Sequence, residues 1–398
     1  MDKINGLSDD LLIKTLSFVP TKVVVSTSIL SKRWDFLWMW VPKLEYDDYN
    51  DNAVANHSVS SCVRYRDFIN KNLPLHKASI IDSLRFTLYF NFDLRTSNYG
   101  LEFAVSRCLR ELSISSYILS VEPDVILPSS LYTCKSLVTL KLEGDNILVD
   151  APGTVCLPSL KTLQVRRVTY MNEDSLRLLL SSCHLLEDLF IERHKDDNVK
   201  ALAVTVPSLQ RLFLEIDGLC SSDHRYVIAT PSLKYFKVED WRDGVSYLIK
   251  DMPKLEEADV FNDFLGSNKY VKRLSLKLIY NNEEETMYRD GIVFARLEHL
   301  KLTIRKENWS ELLVRLLNDS PKLRILDLSV FNYNSKGYER INWSKELSSV
   351  PTCLLKSLET VEFKGYKGRA AERDFLRFIS KNARCLKSKS SLPSSHKC

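Results

Sequence analysis

From about residue 84 onward, apolar residues recur in one short pattern. Leu137-Val138-Thr139-Leu140-Lys141-Leu142 has the form L-x-x-L-x-L, and it returns as Leu160/Leu163/Val165, Leu186/Leu189/Ile191, Leu209/Leu212/Leu214 and Leu233/Phe236/Val238. Further copies are Leu297/Leu300/Leu302 and Leu323/Leu326/Leu328. Starts at 137, 160, 186, 209 and 233 lie 23, 26, 23 and 24 residues apart, a period that marks stacked repeats. The alternating part, as in Leu163-Gln164-Val165, predicts a short strand with its apolar side chains turned inward. Stretches between strands, such as Ser175 to Leu180, have helical spacing and predict the returning side of each unit. One unit cannot bury its own apolar face, whereas stacked units share a continuous core. A sandwich of unrelated strands would not hold so constant a period. Many copies are introduced by proline (Pro158, Pro207, Pro231, Pro253, Pro321), which ends the previous element where no ladder donor is needed. The array is irregular: Leu255/Ala258/Val260 and Val271/Leu274/Leu276 are weak copies 16 residues apart.

The first 45 residues follow a different pattern. Leu12, Leu16 and Val19 fall on one helical face, with Asp9 and Asp10 well placed in the first turn. Pro20 stops that helix. A second short helix is predicted over Lys22–Leu30 despite the β-branched run Val23, Val24, Val25. Ser31 is the expected N-cap of a third, on which Trp34, Leu37, Trp38 and Val41 share a face. Three helices in about forty residues are marginal alone. The module also carries Phe36, Met39 and Trp40, more apolar surface than so small a piece hides. Pattern alone leaves open whether that surface is buried on a partner or on the first repeats of the same chain.

The outward positions of the repeat strands supply the candidate chemistry. One column reads Lys141, Gln164, Phe190, Phe213, Lys237 and Asp259; the next reads Arg166, Glu192, Glu215 and Glu239, with Tyr235 alongside. Three glutamates in one column repel unless a cation intervenes. Phe190, Glu192, Phe213, Glu215, Tyr235 and Glu239 therefore form an expected target-binding patch, suited to a basic segment with an apolar anchor. The bland alternatives are that a loop covers the phenylalanines, that the glutamates are merely solvated, or that a one-residue change of register dissolves the pattern.

Composition narrows the classes. Glycine is scarce, 11 in 398 residues, which argues against phosphate-cradling loops and dinucleotide folds. The net charge of +5 is mild; the Lys387, Lys389 and Lys397 tail lacks interleaved aromatics, so neither nucleic acid nor a membrane is an expected partner. Nine cysteines without a C-x-x-C pair point to reduced structural thiols. Cys220 with His224, or Cys183 with His184, cannot close a four-ligand metal site. The first residues lack a signal-peptide core, and no apolar run is long enough to span a membrane. Cytoplasm and/or nucleus is the expected location, and a monomer within a larger complex the expected state. No nucleophile motif, metal motif or phosphate loop is present, so no catalytic group and no cofactor are expected.

Two segments carry a family resemblance. Leu7-Ser8-Asp9-Asp10-Leu11-Leu12-Ile13-Lys14-Thr15-Leu16, then Pro20, then Leu30-Ser31-Lys32-Arg33-Trp34-Asp35-Phe36-Leu37-Trp38 resembles the plant-type F-box. Trp343, Val350-Pro351-Thr352-Cys353-Leu354, Leu358–Phe363 and Gly365-Tyr366-Lys367-Gly368, followed by a helix from about Arg369 to Asn382, resembles the FBD domain. Together with the leucine-rich repeats the chain is identified as a member of the plant F-box, leucine-rich repeat, FBD family. The resemblance implies an α/β protein with a three-helix F-box over 1–45 and a linker with a helix over 46–80. A leucine-rich repeat solenoid (horseshoe) would follow over 81–340, with an FBD domain and basic tail over 341–398. One last strand, Thr360–Lys364, and the helix after it would cap the open sheet edge. The resemblance also implies the substrate-recognition subunit of an SCF-type (Skp–cullin–F-box) ubiquitin ligase, in which Leu7, Leu11, Leu12, Leu16, Pro20, Leu30, Trp34 and Trp38 form the module core and the adaptor-binding surface. Its expected partners are a Skp-type adaptor, through it a cullin, and an unknown target protein. The alternative is an adaptor-bound scaffold that does not direct degradation.

Overall fold

A computed structural model describes residues 4, 6–47, 67–89, 98–117, 125–220, 226–242, 247–261, 269–278, 293–304, 309–331, 343 and 349–393. They fall into two compact units. The first holds residues up to Leu209 with Glu215–Ile228 and Trp241–Leu248; the second holds Gln210–Leu214, Ala229–Asp240 and the chain from Ile249.

The first unit begins with helix α1 (Asp9–Leu16), N-capped by Ser8, and α2 (Thr21–Ser26), which starts directly after Pro20. A 3-10 turn, Thr27–Ile29, completes the stretch expected as a second helix. The expected third helix does not form: residues 32–36 are turns, followed by a single 3-10 turn, Leu37–Trp40. The reason is room. Strand β1 (Lys43–Asp47) starts twelve residues after Ser31, and one tight turn already delivers Leu37, Trp38 and Val41 to the module core with Leu12, Leu16 and Val24. Arg33 ties the turn back to the start of α1 by an ion pair to Asp9 at 2.7 Å.

This module is joined tightly to the first strands. The Glu45 N–H donates to Thr21 Oγ1 at 2.8 Å. Lys77 and Ala78 N–H donate to the Met39 carbonyl, and Asp82 and Ser83 N–H to that of Pro42. Helix α3 (67–72) precedes this second contact. Strands β2 (Ser83–Leu88) and β3 (Glu111–Ser116) are separated by α4 (Asn98–Ser106). Short strands β4 (Val125–Ile126), β6 (Ile147–Val149) and β8 (Thr169–Tyr170) make a small sheet of their own and alternate with β5 (Thr139–Glu143) and β7 (Thr162–Arg166). Helix α5 (Glu173–Ser181) leads to β9 (Asp188–Arg193). Strands β1, β2, β3, β5, β7 and β9 pair in that order, all parallel.

Register makes the core. Leu44, Leu84, Leu112, Leu140, Leu163 and Leu189 stand side by side across the strands, as do Tyr46, Phe86, Ile114, Leu142, Val165 and Ile191. Every one of them is at most 2% exposed. A slip of one residue would turn a whole row to solvent, so the pairing is firmly specified.

Short strands β10 (Ala203–Val204) and β12 (Tyr226–Ile228) pair beside the returning chain. Strand β11 (Arg211–Ile216) has residues in both units. The short β14 (Tyr247–Ile249) joins β10 and β12 and has residues in both units, and the second unit holds β13 (Tyr235–Asp240), β15 (Glu257–Phe261), β16 (Arg273–Leu278), β17 (His299–Ile304), α6 (Trp309–Asn318) and β18 (Ile325–Val330). The two weak repeat copies form full strands, β15 and β16, whose Ala258, Val260, Leu274 and Leu276 continue the buried rows.

After α7 (Thr352–Lys356) come β19 (Thr360–Tyr366) and α8 (Ala370–Asn382). Glu372 holds the start of α8 by accepting from Lys367 and Arg369 N–H at 2.9 and 3.0 Å. Gly365 has φ +77 and allows a break in register inside β19; a Cβ there would fall 2.8 Å from the Val330 carbonyl oxygen. Trp309, Trp343, Phe363 and Phe375 make one aromatic cluster, with centroids 5.0–6.1 Å apart. Strand β19 is not the last of the sheet. The segment expected as a basic tail adds β20 (Ser388–Pro393), parallel to β19.

Candidate functional site

Two surfaces carry the chemistry, one on the N-terminal module and one on the open face of the parallel strands. The module resolves the eight residues expected for it into two groups. Leu12, Leu16 and Trp38 are buried and Trp34 packs half-buried against them. Leu7, Leu11, Pro20 and Leu30 face outward. The division follows from helix geometry: Leu12 and Leu16, four residues apart, share the inner face of α1. Leu11 lies on the other side.

The outward group is larger than the four. Ile4, Phe18, Val19, Val23, Ile29, Phe36 and Trp40 are also exposed, Phe18 to 78% and Ile29 to 86%. Of the twenty-two exposed large apolar residues among those described, ten lie in the first forty positions. The added residues had one sequence signal, a density of apolar side chains that a two-helix core cannot absorb. Which of them would stay outside depended on the third helix, which does not form. Among the described residues no helix is long and apolar enough to cross a membrane, and no group of three or more His, Cys, Asp or Glu side chains is placed to hold a metal. Cys183 is buried and donates to the Leu179 carbonyl, while His224 lies outside the described residues.

The expected target-binding patch divides between the units. Phe190, Glu192 and Glu215 belong to the first; Phe213, Tyr235 and Glu239 belong to the second. Both phenylalanines and Tyr235 are half-buried, and Phe213 meets Tyr235 at a tilt of 33° with ring centroids 4.9 Å apart. The glutamates differ in kind. Burial, then the neighbouring Glu215 charge, pushes the Glu192 carboxyl above its usual range. Burial would push Glu239 the same way, but the Lys277 ammonium at 2.7 Å and Lys237 at 3.2 Å outweigh it and hold the carboxyl below that range. The cation that a glutamate column demands is therefore present at Glu239.

That contrast extends along both faces. In the second unit Lys277 also reaches Asp259 at 3.5 Å, Arg273 pairs with Glu257 at 2.6 Å, His299 with Asp327 at 2.8 Å and Lys364 with Glu362 at 3.2 Å. In the first unit register sets Arg85, Ser113, Lys141 and Gln164 in one row and Thr87, Ser115, Glu143 and Arg166 in the next. Apart from a 4.0 Å approach of Arg85 to Glu45, these side chains form no hydrogen bond or ion pair among the described residues. All of them but Arg166 line an open depression of about 310 Å³ together with Tyr117.

Comparison with known proteins gives one match in the C-terminal segment, one in the middle repeats, and relatives that match over nearly the whole chain. The FBD profile matches residues 345–389. A profile for the leucine-rich repeats of the FBD-associated F-box protein At5g56370 matches residues 101–268. The chain is 52% identical over 405 residues to the FBD-associated F-box protein At5g60610 of Arabidopsis thaliana, covering 98% of this chain and 99% of that one. It is 58% identical over 400 residues to a second Arabidopsis thaliana protein of the same naming, At5g56700, covering 98% of each.

Proposed function

Because the chain belongs to the family of FBD-associated F-box proteins with leucine-rich repeats, we propose that it is the substrate-recognition subunit of an SCF-type ubiquitin ligase. In this reading the N-terminal module is the F-box and binds a Skp-type adaptor, through it a cullin, while the repeats hold the target protein. The observation that carries it is the set of outward apolar residues on the module, from Leu7 and Leu11 through Ile29 and Leu30 to Trp40. So dense an apolar patch on so small a body is what a protein partner covers. The subunit itself performs no bond chemistry. It raises the effective concentration of a target lysine near a ubiquitin-charged enzyme, a gain that linkage supplies without any new contact. The hydrogen bonds from the Glu45 N–H to Thr21 Oγ1 and from the Lys77 N–H to the Met39 carbonyl suit that role, because they hold the module firmly on the first strands. The protein acts in the cytoplasm or nucleus, as a single copy within the complex.

Capture from plant cells tests the reading. Wild type should bring down a Skp-type adaptor and a cullin. A Leu11→Asp, Leu30→Asp double variant should lose both while unfolding at the wild-type urea midpoint, since neither side chain is in the core. Retention of adaptor and cullin by that variant overturns the assignment of the surface. Capture of adaptor without cullin by wild type would leave an adaptor-bound scaffold as the function.

A further inference from the structure

Charge is distributed unevenly along the chain. Residues 345–389 hold eleven Lys and Arg against five Asp and Glu, a surplus larger than the net +5 of the whole protein. The acids there are already engaged. Glu359 meets Arg324 and Lys387 at 2.9 Å, Glu362 meets Lys364 at 3.2 Å, and Asp374 meets Arg377 at 3.1 Å. Glu372 is 4% exposed and accepts from backbone N–H groups. Glu346 lies outside the described residues.

Helix α8 gathers the cations on one surface. Phe375, Phe378 and Ile379 turn one face of it into the core. Arg373, Arg377 and Lys381 recur every four residues on the opposite face, and all three are exposed. Ser380 stands beside them and accepts from the Lys389 ammonium of β20, which brings a fourth cation to the same face. Among the described residues the Arg373 and Lys381 side chains have no hydrogen-bond or ion-pair partner, and Asp374 serves Arg377 alone. This arrangement works against the helix by itself. Like charges four residues apart repel, and Arg373 sits in the first turn, where the helix dipole disfavours a cation. On the strands, by contrast, exposed cations are matched by neighbours, as Lys161 is by Glu187 and Arg273 by Glu257. An anion laid along α8 would supply the counter-charge that this face lacks.

Spacing and composition select the anion. Successive cations of the stripe lie about 6 Å apart along the helix axis. Alternate side chains of an extended peptide lie about 6.7 Å apart, so acidic residues at every second position keep step with Arg373, Arg377 and Lys381. A nucleic acid strand is held by cations interleaved with aromatic rings, whereas Phe375 and Phe378 of α8 point into the core. A helix lying on a membrane buries its apolar face in lipid, and that face of α8 is already buried in protein. A second copy of the chain would bring the same cations.

We propose that the outer face of α8 docks an extended acidic segment of a partner protein, its alternate carboxylates on Arg373, Arg377 and Lys381 with Lys389 at the side. The surface uses neither the N-terminal module nor the open face of the strands, and it stands independently of the ligase reading.

The test uses the full-length chain and a fluorescent eight-residue peptide of alternating glutamate and serine, with binding read by anisotropy. An alternating lysine and serine peptide, a mixed-sequence single-stranded oligonucleotide and phosphatidylserine vesicles are the comparison probes. Wild type should bind the glutamate peptide more tightly than any of these. Replacing Arg373, Arg377 and Lys381 together by Ser should weaken that binding about tenfold, the combined effect of three exposed ion pairs. Replacing Lys161, Lys234 and Lys272 by Ser removes the same charge from the strands and should change it less than about twofold. Raising salt from about 0.05 to 0.5 M should weaken it in wild type. The α8 variant should unfold at or above the wild-type urea midpoint, because it removes repulsion. Should its midpoint fall, Arg377→Ser alone, at a side chain 76% exposed, gives the second reading, a loss of about twofold to threefold. Absence of glutamate-peptide binding by wild type overturns the proposal, as does wild-type binding by the α8 variants. Tighter binding of the oligonucleotide or the vesicles also overturns it and makes the face a nucleic-acid or a membrane surface.

Discussion

The two compact units treat their apolar side chains and their strand faces in opposite ways. In the first, apolar side chains of the N-terminal module stand in solvent, and the polar side chains on the face of β2, β3 and β5 have almost no partners among the described residues. In the second, the aromatic residues around Trp309, Trp343, Phe363 and Phe375 are buried in one another, and the face of the strands is laced with ion pairs. Exposed ion pairs contribute little stability individually, so their main effect is to satisfy charge locally and leave little for a ligand. A region whose groups are satisfied internally serves to finish the fold. A region whose groups are not has capacity left for partners.

The sharpest way to break this comparison is to remove one large side chain from each end. Phe375 is fully buried among three aromatic rings, and Phe375→Ala should cost about 3–5 kcal/mol. Ile29, exposed to 86%, should be within about 0.5 kcal/mol of wild type as alanine, while its adaptor capture falls. Urea denaturation measures both. If Ile29→Ala is as damaging as Phe375→Ala, the module surface is part of a core and the contrast fails.

Gly365 gives the next largest effect. Its positive φ and the close Val330 carbonyl mean that Gly365→Ala adds both backbone strain and a clash, about 1–3 kcal/mol. Below it comes Glu372→Ala. That carboxylate accepts from two backbone N–H groups at the start of α8, so its removal should cost about 1–2 kcal/mol. Both should lower the unfolding midpoint without touching adaptor capture. A loss of capture in either would mean that the closing segment also bears on the adaptor.

Much of the fold is legible in the sequence, and the exceptions have physical causes. The buried rows are readable because period-2 strands repeated every 23 to 26 residues leave no other face for leucine. Even the weak copies at 255 and 271 keep the right alternation. Strand β20 is not readable. Ser388-Lys389-Ser390-Ser391 has no apolar alternation, and it becomes a strand because the edge of β19 offers it hydrogen-bonding partners, starting from the Glu359 carbonyl. The Lys387 ammonium meets the Glu359 carboxylate there at 2.9 Å. Leu11 and Leu12 are adjacent and chemically identical, so only the packing of α1 against the turn at 37–40 separates partner surface from core. The pairing of Glu239 is hidden for a similar reason. Its cation, Lys277, is 38 residues away, in the row reached past Phe261, beyond the end of the glutamate column.

The two glutamates Glu192 and Glu239 give the smallest and most specific effect, opposite in sign between the units. Glu192 is held above the ordinary carboxyl value of 4.5 by burial and then by Glu215. A raised folded-state pKa means its favourable contribution exists below that ordinary value and is lost as pH rises through the folded pKa. Its ionised form at neutral pH is a strain on the fold. Glu239 is held below 4.5 because Lys277 and Lys237 outweigh burial, so its contribution is present above the ordinary value and lost as pH falls through the folded pKa. At pH 7, Glu192→Gln should therefore stabilise and Glu239→Gln should destabilise, each by on the order of 0.5 kcal/mol after solvent screening. As pH falls below the ordinary value, Glu192→Gln should converge on wild type first, and Glu239→Gln only at the lower pH where its lowered folded pKa is passed. Added salt should shrink both differences at pH 7, since both arise partly from screened charges. Urea midpoints at pH 7 and at acid pH, with and without salt, read all four values. If the two substitutions shift stability in the same direction at pH 7, the face of the second unit is not self-neutralised, and the two strand faces do not differ in kind.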